Sequence, residues 1–194
     1  MAGGGAVRRW PTLESGPVAD HGIFGVQQVR RRSPRTGVAR TYQVLHMPDW
    51  VNVVALTGDG EMVLVEQYRH GIDRLTLEIP GGAVDAGEAP ADAAARELRE
   101  ETGFAGDPPV LLGRVSPNPA IQTNACTTWL IRRARRVAAP QPDEGEDLAV
   151  RLVPRSEIDA LVAAGDVDHA LVIAAFYWLE RYERRVAGGS IGGL

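Results

Sequence analysis

Apolar and polar residues alternate in short runs through the first half of the chain, and a helical period takes over only near residue 90. Alternation with period two marks strands, because successive side chains leave a strand on opposite faces. The β-prone runs Ile23 to Arg32 and Val38 to Met47 flank the turn Ser33-Pro34-Arg35-Thr36-Gly37, which predicts an N-terminal antiparallel hairpin within residues 21–47. A second hairpin is expected where Val51 to Thr57 and Glu61 to Tyr68 meet at Gly58-Asp59-Gly60, a strong turn signal. Residues 1–20 are rich in Gly and Pro and carry little periodicity, so they read as a poorly ordered leader held at most by Trp10.

Pro90 suits a first helical turn and Gly103 a position just past a helix end, predicting a helix from about Pro90 to Thr102. On it Glu97, Glu100 and Glu101 stand at i, i+3 and i+4 and share a face, while Ala91, Ala95 and Leu98 are expected on an adjacent, core-directed face. Val110 to Val115, Ala125 to Arg132 and Ala149 to Val153 read as strands, and Ser156 is placed as the cap of a helix ending at Gly165. A last helix is expected from about Asp168 to Arg185, with Leu171, Val172, Ala175, Phe176 and Leu179 on a broad apolar surface. Strands between the first helix and the C-terminal helices predict an α/β protein, an α/β/α sandwich with a mixed sheet, forming a single domain over residues 21–194.

Composition narrows the partners. With 194 residues and 44% hydrophobic content the chain suits one soluble globular domain. The net charge is −4 and all 21 basic residues are arginine, which disfavours nucleic acid, since its binding footprint is normally net basic. The clusters Arg30-Arg31-Arg32 and Arg132-Arg133-Ala134-Arg135-Arg136 read as solvated strand ends, with attraction of a phosphate-bearing substrate as their other use. Cys126 is the single cysteine, so a buried structural role in a reducing cytoplasm is expected. No apolar run reaches the ~20 residues of a membrane span, and the N-terminus lacks the apolar core of a signal peptide.

Three like charges on one helix face repel, and a divalent cation is the simplest compensation. Oxygen-only ligands select a hard ion, Mg²⁺ first and Mn²⁺ as its substitute. A solvated acidic face is the plain alternative, but Gly81 and Gly82 precede the helix, where the backbone can approach a metal or phosphate without a side chain intervening. From Gly82 to Phe104 the chain reads G-x5-E-x7-R-E-U-x-E-E-x-G-U, with U apolar and every specified position filled. This stretch resembles the signature box of the Nudix hydrolases, and the fold that the resemblance implies is the Nudix-type sandwich.

The resemblance extends to the ADP-ribose pyrophosphatase subgroup over roughly Tyr42 to Tyr182. Glu66-Gln67-Tyr68-Arg69 and Leu77-Glu78-Ile79-Pro80-Gly81-Gly82 look like its E-Q-Y-R and L-E-x-P-A-G segments, with Gly81 in place of the usual alanine. Pro119 falls fifteen residues after Phe104, where the subgroup typically carries proline, but the usual glutamate that follows is replaced by Asn124. The resemblance implies metal binding by the Gly81 carbonyl, Glu97, Glu100, Glu101 and Glu146, with Arg96 orienting a metal-binding glutamate. It implies Glu144 as general base, and Arg69, Glu78 and Pro119 on the substrate side. Tyr42, Trp50 and Tyr68 are candidates for stacking on a nucleobase. His21, His46, His70 and His169 form no metal-spaced pair and read as structural or surface groups. The implied reaction is Mg²⁺-dependent hydrolysis of the pyrophosphate in ADP-ribose or a related nucleoside diphosphate sugar, by a cytoplasmic homodimer whose N-terminal hairpin is a dimerisation element. Dinucleotides or nucleoside triphosphates are the alternative substrates, and a nucleotide-sugar sensor without turnover is the alternative outside enzymes.

Overall fold

The computed structural model describes residues 6–141, 145 and 147–189. The described residues form two compact units, one within residues 49–115 and 125–189 and one of residues 6–48 with 116–124. The larger unit is a sheet whose central path runs β11-β5-β4-β10-β8, where β4 is Trp50–Thr57, β5 Glu61–Arg69, β8 Phe104–Ala105, β10 Cys126–Arg136 and β11 Leu148–Pro154. Three shorter strands pair outside that path: β6 (Arg74–Glu78) on β5, β7 (Gly81–Ala83) on β4 and β9 (Val110–Val115) on β10. β10 runs parallel to β4 and β11 antiparallel to β5, so the sheet is mixed.

Both faces of the central strands are buried. Val51, Val53 and Ala55 face the helix α1 (Pro90–Thr102), together with Ile131, Ala93, Ala94 and Leu98. Their neighbour Val54, with Leu64 and Leu130, faces the opposite layer, where Val172, Ala175 and Leu179 of α3 (Ala170–Ala187) and Ile158 of α2 (Ile158–Ala164) pack. This is the expected α/β/α sandwich, and burial on both faces explains why β4 and β5 carry apolar residues with so little alternation.

α1 has the expected bounds, with Pro90 in its first turn and Gly103 left-handed at φ 73°, its N–H donating to the Arg99 carbonyl. Its core face differs from expectation. Ala95 is exposed and Ala91 half-buried, whereas Ala93, Ala94, Leu98 and Glu101 are buried. The stripe is rotated by about one residue, and that rotation carries the Glu101 carboxylate inward with Leu98. Ser156 does not cap a helix; it lies inside a 3₁₀ turn, Arg155–Glu157, and α2 begins at Ile158 without a side-chain cap.

The smaller unit corrects the leader. Residues 12–20 form β1 (Thr12–Asp20), paired antiparallel with β2 (Gly25–Arg32), which pairs in turn with β3 (Ala39–His46). β1 is exposed along nearly its whole length, so no buried alternation announces it. Backbone pairing orders it instead, and the register slips between Ser15 and Val18, around Pro17, as proline allows on an edge strand. Trp10 lies edge-on to Tyr42, with ring centroids 6.0 Å apart. Residues 116–124 join this unit through Leu45, whose N–H donates to the Ile121 carbonyl at 2.7 Å. Among the described residues no helix is long and apolar enough to cross a membrane.

Leu98 is fully buried where α1 meets the sheet. Leu98→Ala is expected to cost about 2–5 kcal/mol, read as a lower urea midpoint with an unchanged denaturant slope.

Candidate active site

The site begins where β6 leads through Ile79-Pro80 into β7. β7 is held against β4 by the pairings Asn52 with Gly81, Val51 with Gly82 and Trp50 with Ala83. A Cβ at Gly81 would fall well inside contact distance of the Val51 carbonyl oxygen, and one at Gly82 would lie 2.6 Å from Cδ of Glu97. Glycine at Gly81 is therefore a packing requirement, and at Gly82 it lets the backbone press against a carboxylate. The Gly81 N–H donates to Oε2 of the buried Glu101 at 3.1 Å, tying β7 to α1 from the other side.

Arg96 organises the remaining acids. Its Nη1 donates to Glu97 Oε1 at 2.9 Å and to Glu100 Oε2 at 3.0 Å; Nε and Nη2 each donate to Glu88 at 2.9 Å, and Nη2 also to the Ala83 carbonyl at 3.0 Å. The two Arg96 hydrogen bonds, with a third from the Asp85 N–H, hold the Glu88 carboxyl down at about 2. The three acids in turn raise the guanidinium pKa, Glu88 most, against the opposing effect of burial. One planar guanidinium thus fixes three carboxylates and a backbone carbonyl, a task its rigid fork of donors suits and an ammonium does not.

The donor set is all oxygen: Glu97, Glu100 and Glu101 on one helix, beside a glycine backbone with no side chain in the way. Such a set fits a hard divalent ion. Among the described residues no three His, Cys, Asp or Glu groups converge into a ready cage.

A cleft of about 650 Å³ adjoins this centre, sharing Gly81, Gly82 and Ala83 with it. Its other walls include Trp50, Arg69, Ile72, Glu78 and His169. Glu78 is 2% exposed and accepts four hydrogen bonds: from Arg69 Nε and Nη2 at 2.8 Å each, from the Thr76 hydroxyl at 2.7 Å, and from His169 Nδ1 at 2.7 Å. Burial pushes its pKa up, but the bonds from Arg69, His169 and Thr76 outweigh it and leave the carboxyl well below its ordinary range. Asn52 Nδ2 donates to the Leu171 carbonyl at 3.1 Å, and Arg74 pairs with Asp168, so the start of α3 is tied down as a cleft wall.

The structure thus brings Gly81, Arg96, Glu97, Glu100 and Glu101 together, with Arg69, Glu78 and Trp50 in the adjoining cleft. Pro119 lies in a turn of the other compact unit, and Tyr42 in that unit's strand β3. Tyr68 is exposed and donates its hydroxyl to Asp73. Glu144 and Glu146 lie outside the described residues. Asn52 was not singled out by sequence reasoning, and His169, expected as a structural or surface group, bonds the buried Glu78 and also lines the cleft. The available signal was a histidine at the start of a helix, where Ser, Asp or Asn would be usual.

The NUDIX domain profile matches residues 47–176. This chain belongs to the Nudix family. It is 30% identical to an ADP-ribose pyrophosphatase of Mycobacterium tuberculosis over 84% of this chain and 79% of that one. It is 28% identical to an ADP-ribose pyrophosphatase of Bacillus subtilis over 76% and 80%. The crystal structure of an ADP compounds hydrolase superposes with a TM-score of 0.82 at 23% identity, covering 93% of this chain and 97% of that one, and so shares its fold. The protein is a Nudix hydrolase, and divalent metal ions are generally used in this family.

Two outcomes follow for this Nudix hydrolase. Gly82→Ala is expected to displace Glu97 and lower turnover on the order of 10²-fold with little change in melting temperature, checked by kinetics beside calorimetry. Because the native pKa of Glu78 is depressed, its stabilisation is complete above the ordinary carboxyl pKa of about 4.3 and is lost as pH falls towards the native value. Glu78→Gln is therefore expected to cost about 2–3 kcal/mol near pH 7, with the gap to the unsubstituted protein closing in urea melts as pH is lowered from about 5 to 3.

Proposed function

We propose that this Nudix hydrolase cleaves the pyrophosphate of ADP-ribose or a related nucleoside diphosphate sugar, yielding a nucleoside monophosphate and a sugar phosphate. The observation that carries this reading is the shared Gly81–Ala83 strand, with the Arg96-bound glutamates on one side and a 650 Å³ cleft for the remainder of the substrate on the other. The likeness to the two bacterial ADP-ribose pyrophosphatases supports it.

Each residue has a role in this scheme. Mg²⁺, with Mn²⁺ as substitute, supplies charge neutralisation at the phosphate oxygens and acidifies water. The Gly81 carbonyl, Glu97, Glu100, Glu101 and Glu146 are the residues proposed to hold it. Arg96 fixes Glu97 and Glu100 in advance, so that little reorganisation remains when the ion and substrate arrive. The Gly81 N–H does the same for Glu101. Arg69, oriented by Glu78, binds a phosphate oxygen, and Trp50 supplies an apolar wall. Glu144 takes the proton from the attacking water as the phosphorus–oxygen bond breaks, and the displaced phosphate leaves as a monoester anion. The working setting is a reducing cytoplasm, in keeping with Cys126, whose buried thiol is pushed up to about 12 first by burial and then by Asp49. The assembly is a homodimer joined through the N-terminal unit, checked by sedimentation equilibrium.

Phosphatase-coupled phosphate release from ADP-ribose, other nucleotide sugars, dinucleotides and triphosphates, with Mg²⁺ and with chelator, tests the reading. A nucleotide sugar is expected to give the highest kcat/KM and chelator to abolish it; preference for a triphosphate or dinucleotide overturns the substrate class. Glu97→Gln and Glu101→Gln are expected to remove metal-dependent activity with the fold intact. Glu144→Gln is expected to lower kcat by about 10²- to 10⁴-fold at nearly unchanged metal affinity.

A further inference from the structure

His169 stands at the N-cap of α3 yet makes no side-chain capping bond. A residue that suits capping would satisfy one of the first free N–H groups of the helix, and this position gives that up. The imidazole instead reaches the buried Glu78, with Nδ1 2.7 Å from Oε2. Glu78 is held ionised by its Arg69 and Thr76 partners, and a carboxylate only accepts hydrogen bonds, so Nδ1 is the donor in this contact. Nε2 then makes no hydrogen bond among the described residues. Glu78 has a side chain only 3% exposed while that of His169 is 38% exposed, so the accessible edge of the ring is the one away from Glu78, at the cleft wall. The same segment is pinned by Asn52 to Leu171 and by Arg74 to Asp168, which gives the ring a fixed seat.

We propose that His169 is a specificity-determining residue whose Nε2 hydrogen-bonds a hydroxyl of the sugar half of the substrate. The inference rests on the nucleotide-sugar reading above. On that reading the group that enters the cleft is joined to the phosphate bound beside Gly81–Ala83. The lining combines apolar surface from Trp50, Val51, Ile72 and Leu171 with the polar groups Asn52, Arg69, Arg74, Thr76 and Asp168, so the carbon framework of a sugar suits the former and its hydroxyls the latter. Glu78 acts through His169 and Arg69 as a positioning residue, in the way that outer carboxylates fix the tautomer of an imidazole.

The test compares His169→Ala and His169→Asn with the unsubstituted protein. Asparagine keeps an amide near Nδ1 to bond Glu78 and has nothing at the place of Nε2. Three quantities are measured: melting temperature, kcat and KM for ADP-ribose beside a nucleoside triphosphate, which carries no second sugar, and calorimetric binding of ribose 5-phosphate beside inorganic phosphate. Both variants are expected to raise KM for ADP-ribose about tenfold with kcat nearly unchanged, to weaken ribose 5-phosphate binding equally, and to leave inorganic phosphate binding and the triphosphate KM unaffected. His169→Asn is expected to recover the melting temperature but not the KM, which separates sugar contact from a structural tie. Recovery of both by asparagine, an equal loss for the triphosphate or for inorganic phosphate, or no ribose 5-phosphate binding to the unsubstituted protein would each overturn the inference. If the unsubstituted protein binds ribose 5-phosphate through His169 but turns over no nucleotide sugar, the substrate reading fails and the sugar contact stands.

Discussion

The guanidinium of Arg96 is the interaction on which the site depends. Glu88, Glu97 and Glu100 all bond to it, and Glu101 lies one turn beyond Glu97 on the same helix. Unscreened, these acids would repel and splay, at a cost of a few tenths of a kcal/mol per helical pair. One arginine offsets part of that and fixes the oxygens in space, while a formal excess of negative charge remains. The same guanidinium reaches the Ala83 carbonyl, so the loop before α1 and the helix itself are braced together.

Close packing of the backbone is what gives this brace its precision. Gly81 lies against the Val51 carbonyl, so β7 pairs this closely with β4 only because the position lacks a side chain, and Gly82 lies against the Glu97 carboxylate of α1. Small residues on the other side of the contact, Ala93 and Ala94, let α1 settle onto β4. Stability and chemistry share that helix: Leu98 anchors it in the core, and Glu101, on the same buried stripe, reaches the Gly81 N–H. Glu78 does for the cleft what Arg96 does for the acidic centre, with the charges reversed: a buried anion orients Arg69 and His169 along one wall. A buried carboxylate is costly unless fully bonded, and its four bonds meet that condition.

Much of this was legible in the chain. The bounds of α1 follow from Pro90 and Gly103, the hairpin at Gly58-Asp59-Gly60 from turn chemistry, and the acidic face from the spacing of Glu97, Glu100 and Glu101. These signals are local, involving residues within a few turns of one another. What was illegible depended on partners far along the chain. β1 owes its order to pairing with β2, and its exposed residues carry no alternation to read. β7 is three residues long and exists because β4 lies beside it.

The sequence by itself determined the family, the sandwich architecture and the identity of the acidic residues, because box spacing and hydrophobic periodicity are written in consecutive residues. Only tertiary structure decided which face of α1 is buried, since a helix accepts several neighbouring stripes and the sheet selects the one that fits. It alone also brought His169 to Glu78 across 91 positions of sequence, since two such distant residues meet only after the strands and α3 have packed.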